Sequence, residues 1–197
     1  MAGPWGLSVA AYAAIGAVAI GAATAVGRSA WRTSPRWEIT SEGAHALSLG
    51  GGLVIAAVTI LATRWLVRET TWARTLHREL RPAVLHHGPG ALVLLGTSSA
   101  LAEELLFRGV LAPAVGALAS SVAFGLLHQL RGSARWAWVA WATLLGLLFA
   151  LLFLATGSLL GPVVGHAAIN VVNLRRLRDV SVTEPRTRAL GGLLGPR

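Results

Sequence analysis

This chain of 197 residues is far more apolar than a soluble globular domain, because 54% of its residues are hydrophobic and only 13% are charged. It contains no cysteine, which excludes a disulfide framework, a thiolate metal site and a cysteine nucleophile. The net charge of +9 comes from arginine alone. The arginines flank apolar runs, so we interpret them as orienting and headgroup-binding charges and predict no nucleic-acid partner.

The first half of the chain predicts two membrane helices and one helix in the membrane interface. Residues 5–26 form an apolar run with no basic segment before it, which favours a retained transmembrane helix over a cleaved signal. A polar loop, 28–45, separates it from a second run, 47–63. Residues 64–84 then alternate arginines with tryptophans and leucines at helical spacing, which is typical of an amphipathic interfacial helix.

The second half predicts four further spans, so the expected fold class is all-α, a polytopic bundle of about six membrane helices. These runs cover 90–111, 112–130, 136–156 and 158–174. We divide this single membrane domain into an N-terminal part, a core and a polar tail, at 1–89, 90–174 and 175–197. With the N-terminus inside, thirteen arginines fall on the cytoplasmic side and three on the other. The positive-inside rule therefore predicts cytoplasmic termini.

Two adjacent glutamates and an arginine interrupt the run 90–111. Charges at that depth cost at least a few kcal/mol, so they are expected to be partnered and functional. Glu104 and Arg108 are four residues apart on one helix face, which predicts an ion pair. Glu103 points about 100° away from Glu104 and is left available for another task.

Two other predicted helices carry polar residues at the same spacing. One has Phe124 and His128, the other His166 and Asn170. Since ionisable groups in membrane helices face the bundle interior, we expect one polar cavity lined by three helices. A water activated by Glu103 and His128, with His166 and Asn170 stabilising an oxyanion, would suffice for peptide-bond hydrolysis without a covalent intermediate and without a cofactor.

Other interpretations use nearly the same residues. Glu103, His128 and His166 form a two-histidine, one-carboxylate set of the kind that zinc hydrolases use, so zinc is possible. The polar groups can also simply tie helices together, or relay protons in a transporter. No inverted repeat is detectable, which argues mildly against the transporter.

These residues resemble three motifs of the CPBP family, the CAAX proteases and bacteriocin-processing intramembrane endopeptidases. Glu103-Glu104 with Arg108 resembles Glu-Glu-x-x-x-Arg, while Phe124 with His128 and His166 with Asn170 resemble Phe-x-x-x-His and His-x-x-x-Asn. The resemblance implies a glutamate-dependent intramembrane protease related to the type II CAAX prenyl endopeptidase, acting on a membrane-associated protein or peptide. It implies that Glu104, Arg108 and Phe124 support the site. It also implies a plasma membrane of bacterial type, and leaves a non-catalytic bacteriocin-immunity protein as an alternative.

One geometric conflict leads to a prediction about the helices. If the runs 90–111 and 112–130 both cross fully, Glu103 lies about 20 Å from the cytoplasmic end while His128 lies within two turns of it. They would be too far apart to share a water molecule. We therefore expect one run to be displaced, tilted or broken at Gly109, Pro113 or Gly116.

Overall fold

The computed structural model describes residues 4–36 and 39–182, and confirms the all-α fold class. Within this part the only strand-like pairing is an isolated bridge between Arg32 and Ser158. The predicted tail beyond residue 182 lies outside the described residues. The helices are α1 Pro4–Ala25, α2 Ser41–Glu69, α3 Thr71–Leu80, α4 Pro89–Glu104, α5 Ala112–Val115, α6 Ala117–Leu127, α7 Arg135–Thr156 and α8 Leu160–Asp179, with a 3-10 turn at Arg81–Ala83 and a π-helical segment at Leu105–Leu111.

Four helices in the described part of the chain are long and apolar enough to cross a membrane: Gly6–Ala25, Ser41–Glu69, Pro89–Val115 and Arg135–Thr156. The chain is thus an integral membrane protein. The apolar helix α6 has 11 residues, a rise of about 16 Å against a hydrocarbon core of about 30 Å. Two of the six predicted spans, 112–130 and 158–174, are therefore not among these four helices. The first contains the short helix α6, and the second is α8, whose C-terminal end is rich in arginine.

Three predicted boundaries are wrong. The run that starts at 90 continues without a break through Pro113 to Val115, so the predicted division at 111 and 112 is displaced to Gly116. The helix expected over 64–84 begins only at Thr71, because α2 continues to Glu69 and the extended Thr70 caps it, its hydroxyl donating to the Leu66 carbonyl over 2.8 Å. The helix of the sixth run continues past 174 to Asp179.

Small residues hold α8 against α2. Ser48 and Gly52, four residues apart on α2, face Gly161 and Gly165, four residues apart on α8. A Cβ atom on Gly161 would collide with the Ser48 backbone, so the two helices approach as closely as glycine allows. The Ser48 hydroxyl donates to the Ser158 carbonyl over 2.8 Å. This contact fixes the helix that carries His166 and Asn170.

The connections gather at two ends of the bundle. At one end the loop after α1 covers the turn between α7 and α8, where the Thr33 amide donates to the Gly157 carbonyl and the Leu159 amide to the Trp31 carbonyl. Leu159 is consequently buried, and α8 begins inside the bundle. At the other end Glu79 of α3 accepts from the Ser133 amide, between α6 and α7. His77 of α3 also donates from Nε2 to the Val180 carbonyl over 2.8 Å, so α3 contacts the residue that follows α8 as well as the loop after α6.

Candidate active site

A turn at Gly116 resolves the conflict between the depths of Glu103 and His128. Gly116 has a φ of +92°, a conformation open to glycine, and the chain reverses there from α5 into α6. Glu103 lies twelve residues before Val115, and His128 lies eleven residues after Ala117. At 1.5 Å per residue both are about 17 Å from the turn. The predicted break is confirmed at Gly116, and the two side chains lie at one depth.

Glu103 faces both histidines of the motifs. Its Oε2 atom lies 3.8 Å from His128 Nε2 and 3.8 Å from His166 Nε2. These distances exceed hydrogen-bond length, and the buried Oε2 has no hydrogen-bond partner among the described residues. The shared cavity predicted from the sequence therefore brings Glu103, His128 and His166 together.

The far nitrogen of each histidine is engaged by an oxygen. His128 Nδ1 lies 2.8 Å from the Phe124 carbonyl, to which it donates. His166 Nδ1 lies 2.7 Å from Glu104 Oε1. When each ring is neutral and its proton sits on Nδ1, the Nε2 atom is an acceptor. Three acceptors, one carboxylate oxygen and two ring nitrogens, then converge on one point.

The predicted ion pair between Glu104 and Arg108 is present. Arg108 Nη1 lies 3.0 Å from Glu104 Oε1, and both side chains are fully buried. Arg108 belongs to the π-helical segment Leu105–Leu111, a geometry often found at functional sites. Glu104 Oε1 contacts both Arg108 and His166. Arg108 therefore neutralises the Glu104 carboxylate, and the carboxylate orients the His166 imidazole.

Phe124 packs at the centre of the site. The centroid of its ring lies 4.4 Å from Cζ of the Arg108 guanidinium, which sits over the ring face, and 4.3 Å from the centroid of the His128 ring. It also meets His166 edge-on, with 5.9 Å between centroids. The cation–π contact explains how Arg108 is accommodated away from water. Phe124 thus holds Arg108 and both histidines in one packed cluster.

Sequence reasoning missed several residues that adjoin these groups. Asn170 Nδ2 donates to the Ser99 hydroxyl over 3.1 Å, and the four-residue spacing from Ser99 to Glu103 was a usable signal. From α7, Phe149 stacks on His166 at 5.9 Å and Trp138 meets His128 at 5.9 Å. The apolar helix α7 thus supplies two aromatic rings to the site, although it has no ionisable residue within the span predicted over 136–156.

A cavity of about 420 Å³ opens beside the site. Glu103, His128, His166 and Asn170 line it together, and the buried face of α3 lies along it through Ala73, Leu76 and His77. The amphipathic helix predicted to lie flat in the interface therefore turns its apolar side to the cavity. Apolar walls with a few convergent polar groups are typical of a binding site.

The zinc-dependent alternative, which would use Glu103, His128 and His166, stays a prediction. Among the described residues no group of three or more histidines, aspartates or glutamates is placed to hold a metal ion. The Nε2 atoms of His128 and His166 each lie 3.8 Å from Glu103 Oε2, and the far nitrogen of each ring is held by an oxygen, as is common for metal-bound histidines.

Comparison with known proteins identifies the central segment. Residues 86–172 match the family model described as type II CAAX prenyl endopeptidase Rce1-like, and all three motifs fall inside the match. The chain is also 33% identical over 87 residues to the uncharacterized protein YpbD of Bacillus subtilis (strain 168), an alignment covering 44% of this chain and 46% of YpbD. It thus spans about half the length of that curated relative. No solved structure matches it.

Proposed function

We propose that this chain, whose residues 86–172 belong to the Rce1-like family of CAAX-type proteases, is an intramembrane endopeptidase of the glutamate-dependent type. The family supports a membrane protease and a hydrolase in general terms. Our proposal goes further and assigns a catalytic role to each of four residues. In it, Glu103 and His128 activate a water molecule, and His166 and Asn170 stabilise the oxyanion.

The observation that carries the proposal is the convergence of three polar atoms, Glu103 Oε2, His128 Nε2 and His166 Nε2, on one point of the cavity. Glu103 Oε2 lies 3.8 Å from each of the two Nε2 atoms, and this carboxylate oxygen is buried without a hydrogen-bond partner among the described residues. A buried acceptor in this state is costly, and one water molecule donating to Glu103 and His128 satisfies two of the three. One of the two lone pairs on its oxygen then points at the carbonyl carbon of a substrate.

The proposed chemistry needs no covalent enzyme intermediate. The water oxygen forms a bond to the scissile carbonyl carbon while its proton passes to Glu103, which acts as general base. Asn170 donates to the developing oxyanion from Nδ2, which has a second hydrogen besides the one given to Ser99. His166 can donate there from Nε2 only as an imidazolium, because Glu104 engages Nδ1. Collapse breaks the C–N bond, and Glu103 returns the proton to the leaving amine.

The substrate class follows from where the site lies. The cavity wall is mostly apolar and is built by membrane helices together with α3, so we propose a membrane-associated protein or peptide with an apolar stretch at the cleaved bond. The lipid bilayer is the second partner. Both termini face the cytoplasm in this proposal.

The test is cleavage of a library of membrane-anchored peptides by the purified full-length protein in liposomes. Wild type is compared with Glu103→Gln and with the matched control Glu69→Gln, which removes an exposed glutamate at the end of α2. Loss of cleavage in Glu103→Gln but not in Glu69→Gln, with activity resistant to a chelator, is the expected result. Loss to a chelator that zinc restores would favour the zinc-dependent mechanism instead. Activity in cells that survives Glu103→Gln would favour a non-catalytic peptide-binding or immunity role.

A further inference from the structure

Ser99 of α4 is a buried polar residue to which the proposed hydrolysis assigns no role. It lines the cavity together with Glu103 and Asn170. Its hydroxyl oxygen accepts a hydrogen bond from Asn170 Nδ2 over 3.1 Å, across the contact between α4 and α8. Ser99 also lies four residues before Glu103, which puts the two on one helix face, about 6 Å apart along the axis. The side-chain nitrogen of Asn170 is therefore held about one helical turn from Glu103.

A second hydrogen bond sets the direction of the first. The Ser99 hydroxyl donates its single hydrogen to the Gly96 carbonyl of its own helix over 3.3 Å. Because that hydrogen is used, the Ser99 oxygen can only accept from a neighbour on α8. The side-chain nitrogen of Asn170 satisfies it, whereas the side-chain oxygen of Asn170 would be repelled. Ser99 thus distinguishes the two ends of an amide group that have nearly the same shape.

Close packing of α4 on α8 restricts the Asn170 side chain further. A Cβ atom on Gly96 would lie 3.3 Å from Asn170 Cβ and 3.1 Å from the Val171 nitrogen, both tighter than ordinary contact. Gly96 precedes Ser99 by three residues, so both face α8. The freedom that remains to Asn170 is rotation about the bond to its amide group, a broad and roughly two-fold torsion that exchanges nitrogen and oxygen.

The orientation of this amide decides whether Asn170 can take part in the proposed reaction. The oxygen of the cleaved carbonyl gains negative charge as water attacks, and an N–H group held in place stabilises that charge. A side-chain carbonyl in the same position would repel it. Asn170 is the neutral donor of the proposed pair, since His166 can donate from Nε2 only as an imidazolium. The rotated amide would therefore remove the donor that is present without protonation.

We propose that Ser99 is a positioning residue, which holds the Asn170 amide with its nitrogen towards Glu103 and excludes the rotated orientation. This inference rests on the proposed function for its effect on catalysis, but the orientation of the amide is a separate claim. The competing explanation is that Ser99 is a small polar residue that only joins two membrane helices. Alanine keeps the Cβ atom of serine, so Ser99→Ala preserves the close packing and removes the hydroxyl alone.

The orientation can be measured without turnover by NMR of the side-chain amide. Asn170 and Asn173 are the only asparagines in the chain. Full-length protein in detergent micelles, labelled with ¹⁵N in the asparagine side chains, therefore gives two NH₂ signals, which Asn173→Gln assigns. In wild type one hydrogen of the Asn170 pair should exchange slowly with solvent. In Ser99→Ala it should exchange about tenfold faster, the factor that corresponds to one neutral hydrogen bond.

The neighbouring serine provides a matched control. Ser98 does not line the cavity, and its hydroxyl donates to the Leu95 carbonyl of its own helix over 3.2 Å. Ser98→Ala should therefore leave the exchange of the Asn170 hydrogen as in wild type. Ser99→Thr keeps a hydroxyl at the critical position and should retain most of the protection.

Kinetics of peptide cleavage in liposomes measure the effect on catalysis. Ser99→Ala should lower kcat about tenfold, while KM and the unfolding temperature stay near the wild-type values. Ser98→Ala should keep the wild-type kcat, and Ser99→Thr should retain most of it. In the Asn170→Ala background, adding Ser99→Ala should cause no further loss, because the amide that Ser99 orients is gone.

Several results would overturn the inference. Equal exchange of the Asn170 hydrogen in wild type and Ser99→Ala would show that the hydroxyl does not hold the amide. A wild-type kcat in Ser99→Ala, or the same tenfold loss in the Asn170→Ala background, would show that Ser99 does not act through Asn170. A loss of kcat that only accompanies a lower unfolding temperature would assign Ser99 to helix packing.

The two proposals fail differently. Protection of the Asn170 hydrogen that depends on Ser99, in a protein whose cellular activity survives Glu103→Gln, would leave the orientation in place and contradict the protease. Cleavage that depends on Glu103 but is unchanged in Ser99→Ala would leave the protease in place and contradict the role of Ser99.

Discussion

Glu104 Oε1 and His166 Nδ1 lie 2.7 Å apart, and this contact joins two helices through residues 62 positions apart in the chain. The same carboxylate pairs with the buried Arg108. A ring nitrogen held by a carboxylate fixes the imidazole and leaves Nε2 facing the cavity. Glu104 thus holds the His166 ring in place, and in the proposed chemistry it positions that ring while Glu103 beside it contacts the reacting groups.

Replacing Glu104 with Gln should lower both stability and activity. The change leaves Arg108 buried without its counter-charge, and loss of one partner of a buried pair costs about 3–5 kcal/mol. Thermal unfolding in detergent and peptide cleavage measure the two effects. The double variant Glu104→Gln with Arg108→Met should recover stability, because no unpaired charge remains, but not cleavage. Unchanged stability in the single variant would contradict the account of the ion pair.

Phe124→Leu should reduce activity by more than its loss of stability explains. The substitution removes the ring beneath Arg108 and beside His128, a cation–π contact of about 0.5–2 kcal/mol. Phe153→Leu is the matched control, because Phe153 is buried in a separate apolar cluster with Leu105 and Leu159. Both variants should unfold at lower temperature, and only Phe124→Leu should lose most of its cleavage. Similar cleavage activity in Phe124→Leu and Phe153→Leu would show that Phe124 contributes only to the packing of the core.

Replacing either of two glycines with alanine, Gly161 in α8 or Gly50 in α2, should change the stability of the protein in opposite directions. Gly161→Ala drives a Cβ into the Ser48 backbone, so it should destabilise the protein by several kcal/mol and separate α8 from α2. Gly50 has open space around the corresponding position, so Gly50→Ala should stabilise α2 by about 0.5–1 kcal/mol. Unfolding temperatures of the two variants check this directly. A tolerated Gly161→Ala would mean that the two helices are not in close contact.

The membrane orientation can be read with single cysteines, because the natural chain has none. Ser29 and Ser133 are exposed loop residues at opposite ends of the bundle. In intact cells or sealed vesicles, an impermeant thiol reagent should label Ser29→Cys from outside and Ser133→Cys only from the cytoplasmic side. The reverse pattern would overturn the orientation inferred from the arginines, and labelling of both from one side would contradict the arrangement of the loops.

Residue spacing predicted those contacts of the site that form within a single helix. Glu104 and Arg108, or Phe124 and His128, are four residues apart, and helix geometry alone puts them on one face. The contact of Glu104 with His166 had no such signal, since tertiary packing brings the two helices together. The stack of Phe149 on His166 was hidden for the same reason, because an apolar helix without ionisable residues has the composition of a lipid-facing one.

Helix ends were predicted less well than helix faces. The predicted runs divide between residues 111 and 112, and Pro113 is one of the three places where a break was expected. The helix instead runs through Pro113, directly after the π-helical segment, and ends at Gly116. The depth conflict between Glu103 and His128 was the better guide, because it required a break and named Gly116 among three places.

The most direct measurement is the single-turnover rate of one cleaved peptide in wild type and in Glu103→Gln, in liposomes, with unfolding temperatures to show that both are folded. A general base contributes about 10²- to 10⁴-fold, so the rate should fall by that factor while the unfolding temperature and peptide binding change little. Retention of the wild-type rate in folded Glu103→Gln would contradict the proposal that this glutamate activates the attacking water.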